Sequence, residues 1–240
     1  MTYAVEVRVL SYNVRSLRDD RHALTEIIRT VQPDVACIQE APRFLRWRSE
    51  CARLARESGL LVVTGGRTAG GVLLLARLRT AVLSSGDVLL TKHEGLHQRG
   101  LAMAVVDVNG AQFGVASMHL GLDGDERRGH VEEVLKYLDE LGAPRLVLAG
   151  DVNETAEHAA WRRLSERFVD GYAKAPVGDG ITFSSQNPRR RIDAVFVDPS
   201  IEVMSCGVPD LPNLEIASDH RPLLAVLRIP RGGGEPASGE

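Results

Sequence analysis

Asp151 and Asn153 stand two residues apart at the end of the apolar run Leu146–Gly150. If the backbone stays extended through Val152, a carboxylate and an amide leave one face at the tip of a buried strand. Groups of that kind are costly to bury unless something uses them. Taken alone, the pair fits an N-cap for a helical segment from Ala156. The other strand tips argue for a site instead. Asn13, Glu40 and His119 each close a predicted strand, whereas Asp193 and the pair Asp219-His220 each open one. If the last strands run antiparallel to earlier ones beside them, all these groups reach the same rim of a mixed sheet or sheet pair. Ligands of α/β proteins gather at such rims.

The chemistry of the set is coherent. Glu40, Asp151, Asp193 and Asp219 are hard oxygen donors, and Asn13 and Asn153 add amide oxygens. An oxygen-rich set without thiolates suits Mg²⁺ or Mn²⁺. His119 and His220, set among carboxylates, are candidates for proton transfer or for stabilising an anionic transition state. Metal, carboxylates and histidines together describe hydrolysis of a phosphate ester by an in-line water.

The elements that must position these residues follow from hydrophobic spacing. Val5–Tyr12 is strand-like and ends at Asn13. Leu24, Ile27, Ile28 and Val31 mark a helix that starts at Asp19-Asp20 and stops at Pro33. Val35–Gln39 is a buried strand leading to Glu40. A second helix is expected over Phe44–Ser58, with Leu45, Cys51, Leu54 and Ala55 inward and Gly59 as C-cap. Strands are expected at Leu60–Thr64, Val72–Ala76, Thr80–Leu90 and Leu101–Val108, with Asn109-Gly110 turning a hairpin into Ala111–Ser117 and on to His119. A helix over Asp125–Leu141 precedes the Leu146 strand. A short helix covers Ala159–Phe168, and Tyr172–Arg191 reads as loop. Ile192–Val197, Ile201–Cys206 and Pro222–Ile229 close the pattern.

Composition sets limits on this reading. The 240 residues are 44% apolar and 25% charged, enough for one sizeable core. One domain is expected over residues 1–230, followed by a Gly/Pro/Ser-rich disordered tail at 231–240. No apolar run is long enough to span a membrane. The N-terminus lacks a basic stretch followed by an apolar one, so no signal peptide is expected. Cys37, Cys51 and Cys206 read as reduced, mostly buried thiols of a cytoplasmic protein. A net charge of −3 gives no overall field for holding nucleic acid non-specifically. Only three of the 29 cations are lysines. Arginine suits bidentate phosphate contacts, but codon bias accounts for the excess more simply.

The order of motifs resembles the endonuclease/exonuclease/phosphatase superfamily, the DNase I-like metal-dependent phosphoesterases. The residues that carry the resemblance are Ser11-Tyr12-Asn13-Val14, Ile38-Gln39-Glu40, Ser117-Met118-His119-Leu120, Gly150-Asp151-Val152-Asn153, Arg191-Ile192-Asp193 and Ser218-Asp219-His220-Arg221-Pro222. Each is weak alone, but six in order over nearly the whole chain are specific. The resemblance implies an α/β fold of four layers, two mixed β-sheets packed face to face and flanked by helices. It implies that Glu40 is the main metal ligand, helped by Asn13 and, through water, by Asp219. Asp151 would orient or deprotonate the attacking water, and Asn153 would hold that water or a phosphate oxygen. His220, its ring fixed by Asp193, would contact the scissile phosphate or act as base, and His119 would face the phosphate or leaving group from the other side.

His119 stands where the superfamily's AP endonucleases carry a tyrosine, so abasic-site repair ranks low. The carboxylate that pairs with this histidine in DNase I has no counterpart between Thr64 and Ala76, so His119 reads as a phosphate donor rather than a strong general acid. The expected activity is phosphodiester hydrolysis, with nucleic acid among the candidate substrates, by a monomer. A phosphomonoesterase on an inositol-phosphate-like molecule comes second and a sphingomyelinase-like lipid phosphodiesterase third. A catalytically silent polyanion-binding domain is the non-enzyme alternative. Arg99 and Phe183 are candidate substrate contacts. Phe44 and Trp47 stand just past Glu40, where they either line a cleft or anchor their helix. The remaining histidines have milder readings: His22, His130 and His158 as surface or capping residues, His93 and His97 as solvated loop residues. Arg189–Arg191 reads as a solvated charge run.

Overall fold

The computed structural model describes residues 4–232. Residues 233–240 of the expected tail lie outside the described residues. The chain order is β1 (Ala4–Asn13), α1 (Arg21–Val31), β2 (Val35–Gln39), α2 (Trp47–Glu57), β3 (Leu61–Gly66), β4 (Val72–Ala76), β5 (Thr80–Leu89), β6 (Gly100–Val108) and β7 (Ala111–His119). There follow α3 (Gly124–Glu140), β8 (Leu146–Asp151), α4 (Ala159–Ser165), β9 (Val169–Asp170), α5 (Gly171–Lys174), β10 (Pro176–Val177), β11 (Asp193–Val197), β12 (Glu202–Gly207), α6 (Leu214–Ala217) and β13 (Leu223–Pro230).

Seven strands form one mixed sheet in the order β10-β12-β13-β1-β2-β4-β3, and six form the other in the order β5-β6-β7-β8-β11-β9. The central strands β2 and β8 are buried along their whole length, as apolar runs covered on both faces must be. Between the sheets, Val7, Val9, Val35 and Leu74 of the first pack with Ala104, Val106, Val115 and Val147 of the second. Helices α1 and α2 cover the outer face of the first sheet, and α3 and α4 that of the second. Four layers result. Each buried Val or Leu in these cores contributes about 1.5–3 kcal/mol relative to exposure.

The strand directions gather the polar tips. β1 runs parallel to β2, and β7 runs parallel to β8. β13 runs antiparallel to β1, and β11 runs antiparallel to β8. Asp151 is in register with His119 on one side and Asp193 on the other. Gly150 makes this close ladder possible: a Cβ there would lie 1.9 Å from the Met118 carbonyl oxygen.

Several local expectations change. Helix α2 begins at Trp47, because Arg46 takes a left-handed conformation (φ 60°) at the N-cap. Phe44 and Leu45 therefore stay outside the helix and largely exposed, at 71% and 91%, and Leu45 does not join the core. Asp151 and Asn153 cap no helix. The N-cap of α4 is His158 without a side-chain bond, and Glu154 instead accepts the Trp161 amide at 2.7 Å. His130 is fully buried on the inner side of α3, its Nε2 2.8 Å from the Thr91 carbonyl, so it is no surface residue. The expected loop from Tyr172 contains α5, capped by Asp170, and β10. The basic run is not wholly solvated. Arg191 pairs with Asp170 at 2.8 Å and lies over the Trp161 and Tyr172 rings.

Candidate active site

The rim where both sheets end holds a cavity of about 540 Å³. Glu40, Arg99, His119, Asp151, Asn153, Phe183, Asp219 and His220 line it. Asn13 and Asp193 are buried and hydrogen-bond to lining residues. All ten site residues expected from the sequence thus meet in one place, drawn from both sheets and from five loops.

Asn13, at the end of β1, spans the seam between the sheets. Its amide nitrogen donates to Glu40 Oε1 at 3.3 Å and to Asp151 Oδ2 at 3.1 Å, while its carbonyl oxygen accepts the Arg15 amide at 3.1 Å. Asp151 is also held by the Asn153 backbone N–H, which reaches Oδ1 at 2.9 Å. Burial, and then repulsion from Asp193, push the Asp151 carboxyl up to about 7 against the pull of His220 and these hydrogen bonds. A carboxylate that titrates near neutrality can hold or release a proton under working conditions.

The two histidines flank Asp151 but differ in charge. His220 Nδ1 lies 2.9 Å from Asp193 Oδ2, and its Nε2 lies 3.7 Å from Asp151 Oδ2. Burial disfavours the imidazolium, but Asp193, then Asp151 and Asp219, outweigh that and raise its pKa to about 10. His220 is therefore a cation at neutral pH, with Nε2–H aimed at Asp151. His119 is the opposite case. Its Nε2 lies 3.0 Å from an Arg99 guanidinium nitrogen, 3.1 Å from Asn153 Nδ2 and 3.5 Å from Asp151 Oδ2. Two N–H donors converge on that nitrogen, so it is an acceptor and the ring proton sits on Nδ1. Burial first, then Arg99 and His220, drive its pKa well below the ordinary 6.5. Arg99 is itself buried, and burial lowers its pKa against the support of Asp151, Glu126 and Glu40.

Asp219 is held from the solvent side by Arg15 Nε at 3.3 Å, and its pKa is raised chiefly by burial. Phe183 stacks on the His220 ring, 4.9 Å between centroids. Trp47 is half-buried among the residues under α1 and α2, and Phe44 lines the cavity, so each takes one of the two uses foreseen.

The donor set fits a hard divalent cation. Glu40 and Asp219 present carboxylate oxygens to the cavity, and the three cysteines are buried and absent from its lining. Asp151, Asp193 and His220 also have ligand atoms within 4.8 Å of one another. In that trio the His220–Asp193 contact is already a short hydrogen bond, and Asp193 Oδ1 is a buried oxygen without a partner.

Sequence reasoning passed over several lining residues: Ser16, Arg18, Arg43, Gly70, His97 and Leu122. Arg43 follows Glu40 by three residues and His97 precedes Arg99 by two. Proximity to a strand tip was the available signal, and His97 lines the cavity while remaining exposed on its loop, as expected.

The model of the Endonuclease/Exonuclease/phosphatase family matches residues 10–220. No curated protein matches the sequence. Solved structures do share the fold. An endonuclease/exonuclease/phosphatase family protein from Bacteroides thetaiotaomicron superposes with a TM-score of 0.81 at 20% identity, over 94% of this chain and 98% of that one. A mannosyl-6-phosphatase from the same organism gives 0.78 at 19% identity, over 92% and 99%. D. rerio TDP2 complexed with single-strand DNA product gives 0.71 at 16% identity, over 92% and 98%. With the family match spanning Asn13 to His220 and the same fold recurring in these structures, the chain belongs to the endonuclease/exonuclease/phosphatase family.

Proposed function

We propose that this protein is a divalent-metal-dependent phosphoesterase that hydrolyses phosphodiester bonds. Its family comprises hydrolases of phosphoesters. The observation that carries the reading is the arrangement around Asp151. One buried carboxylate, raised to about 7, lies 3.7 Å from a charged imidazole backed by Asp193, and Asn13 ties it to Glu40.

Glu40 and Asp219, with Asn13 behind them, would hold the cation, Mg²⁺ or Mn²⁺. Bound there, the ion supplies positive charge to the phosphate oxygens. Asp151 orients a water for in-line attack and takes its proton as the new P–O bond forms and the ester P–O bond breaks. His220 donates Nε2–H to a phosphate oxygen, and Asp193 keeps that ring charged and oriented. Asn153 positions the water or a phosphate oxygen. His119, neutral, accepts from Arg99 and Asn153 and so fixes both side chains: Arg99 keeps further N–H groups for the phosphate, while Asn153, whose second N–H goes to the Leu120 carbonyl, offers its side-chain oxygen to the water. The leaving oxygen takes its proton from solvent. A phosphomonoester is the second reading, favoured by Arg18, Arg43 and Arg99 in one lining, where they would meet a dianion.

A substrate panel tests this: plasmid DNA, RNA, bis-p-nitrophenyl phosphate, p-nitrophenyl phosphate and inositol phosphates, each with Mg²⁺, Mn²⁺ or chelator. The expected result is diester cleavage that chelator abolishes and that falls at least about 10²-fold in Asp151→Asn and His220→Ala. Cleavage that survives chelation would reject the metal assignment.

A further inference from the structure

A second cavity of about 610 Å³ adjoins the first and shares Arg43, Phe44, Gly70 and His97 with it. Its charge is one-sided. Where Glu40, Asp151 and Asp219 face the first cavity, no carboxylate lines the second among the described residues. Arg67 and Lys92 line it instead, with Arg43 at the shared wall. Elsewhere on the molecule Arg21, Arg53 and Arg163 are each paired with an acid. Arg43, Arg67 and Lys92 are in no ion pair among the described residues. Arg43 donates only to the Gly70 carbonyl at 3.3 Å and lies 5.6 Å from the centre of the Phe44 ring.

Three connections build this cleft: β2 to α2, β3 to β4, and β5 to β6. Gly70 lets the second rest on the third. It has φ +64°, and a Cβ there would lie 2.8 Å from the Arg99 carbonyl carbon. The turn that carries Arg67 is therefore packed on the β5–β6 connection. Beside them Phe44, Leu45 and Leu89 expose apolar surface. Unpaired cations next to an open aromatic ring suit an anion joined to a planar or apolar group.

We infer that this cleft is a second anion subsite, which binds a phosphate of the substrate other than the one being hydrolysed. The inference rests on the phosphoesterase reading and narrows it: the preferred substrate carries at least two phosphates, with an apolar or planar portion between them lying against Phe44. The second phosphate is either the neighbouring phosphate of a nucleic-acid strand or that of a bisphosphorylated small molecule.

The test uses the full chain and the double variant Arg67→Ala/Lys92→Ala, both exposed positions whose loss leaves the cores intact. Binding of a fluorescent tetrathymidylate and of an inositol bisphosphate is measured in chelator, where turnover plays no part. Separately, kcat/KM is measured with metal on each compound and on bis-p-nitrophenyl phosphate, which has one phosphate. The expected result is binding weakened at least about tenfold for one of the two probes, with a shallower salt dependence. On that same compound kcat/KM falls at least about tenfold further than on bis-p-nitrophenyl phosphate. Which probe loses affinity identifies the source of the second phosphate. Unchanged binding of both probes, or equal loss of kcat/KM on all three substrates, would overturn the inference. Weakened binding with no metal-dependent turnover in the wild type would keep the subsite and remove the phosphoesterase reading.

Discussion

Asp193→Asn isolates charge from geometry at His220. Asp193 is 1% exposed, accepts from His220 Nδ1 through Oδ2, and leaves Oδ1 without a partner. An asparagine can keep its oxygen on Nδ1 and place its NH₂ where Oδ1 was, so the hydrogen bond survives and the negative charge does not. His220 stands at about 10 against an ordinary 6.5, which corresponds to about 5 kcal/mol favouring the imidazolium. Burial opposes that charge, and Asp193 is the largest of the groups supporting it. Without Asp193 the pKa should fall to about 7 or lower. With a pKa of about 7, the charged fraction at pH 8.5 would drop from nearly all to about 3%, a loss of about 30-fold in kcat/KM, whereas at pH 6 about 90% would stay charged and the loss would be only about 10%. The assay is a pH series of kcat/KM on bis-p-nitrophenyl phosphate beside NMR titration of the imidazole carbons. An alkaline limb that stays near pH 10 in the variant would refute the electrostatic account of the dyad.

Further expectations follow from the same groups and from the ladder beside them. Asp151 and His220 both hold protons in the fold more tightly than in the unfolded chain. Stability contributed by Asp151 is lost as pH rises from 3.8 to about 7, and that from His220 as pH rises from 6.5 to about 10, so denaturant midpoints should decline across both windows. A midpoint that climbs with pH between 7 and 10 would contradict the sign. Gly150→Ala should lower stability by about 1–3 kcal/mol, read as a Tm several degrees lower, because the new methyl meets the backbone carbonyl of Met118, which has no rotamer with which to yield. A variant with unchanged Tm would mean that β7 and β8 separate freely.

Much of this architecture was legible because burial leaves a period in the sequence. The runs at Val35–Gln39 and Leu146–Gly150 are apolar without alternation, and both strands are covered on two faces. Their polar ends stood out for that reason, and Asn13, Glu40, His119, Asp151 and His220 meet where the strand tips placed them. What local pattern could not supply was tertiary. Phe44 and Leu45 look like the apolar face of a helix, yet a left-handed Arg46 delays its start by one turn. His130 looks like a polar position on α3, yet it lies inward and bonds to Thr91, distant in sequence. His97 and Arg43 carry no periodic signal, because they sit on connections whose approach depends on Gly70.

The Asn13 amide joins β1 of one sheet to β8 of the other. Glu40 travels with the first sheet, whereas Asp151, His119 and Asp193 travel with the second. Turnover therefore reports the alignment of two slabs, since a slip of one ångström between them would part Glu40 from Asp151 while each slab kept its own ladder bonds. Valines midway between the layers, remote from the rim, belong to the site's machinery in this sense. Conservative trimming there, such as Val9→Ala, should reduce rate out of proportion to the stability it removes.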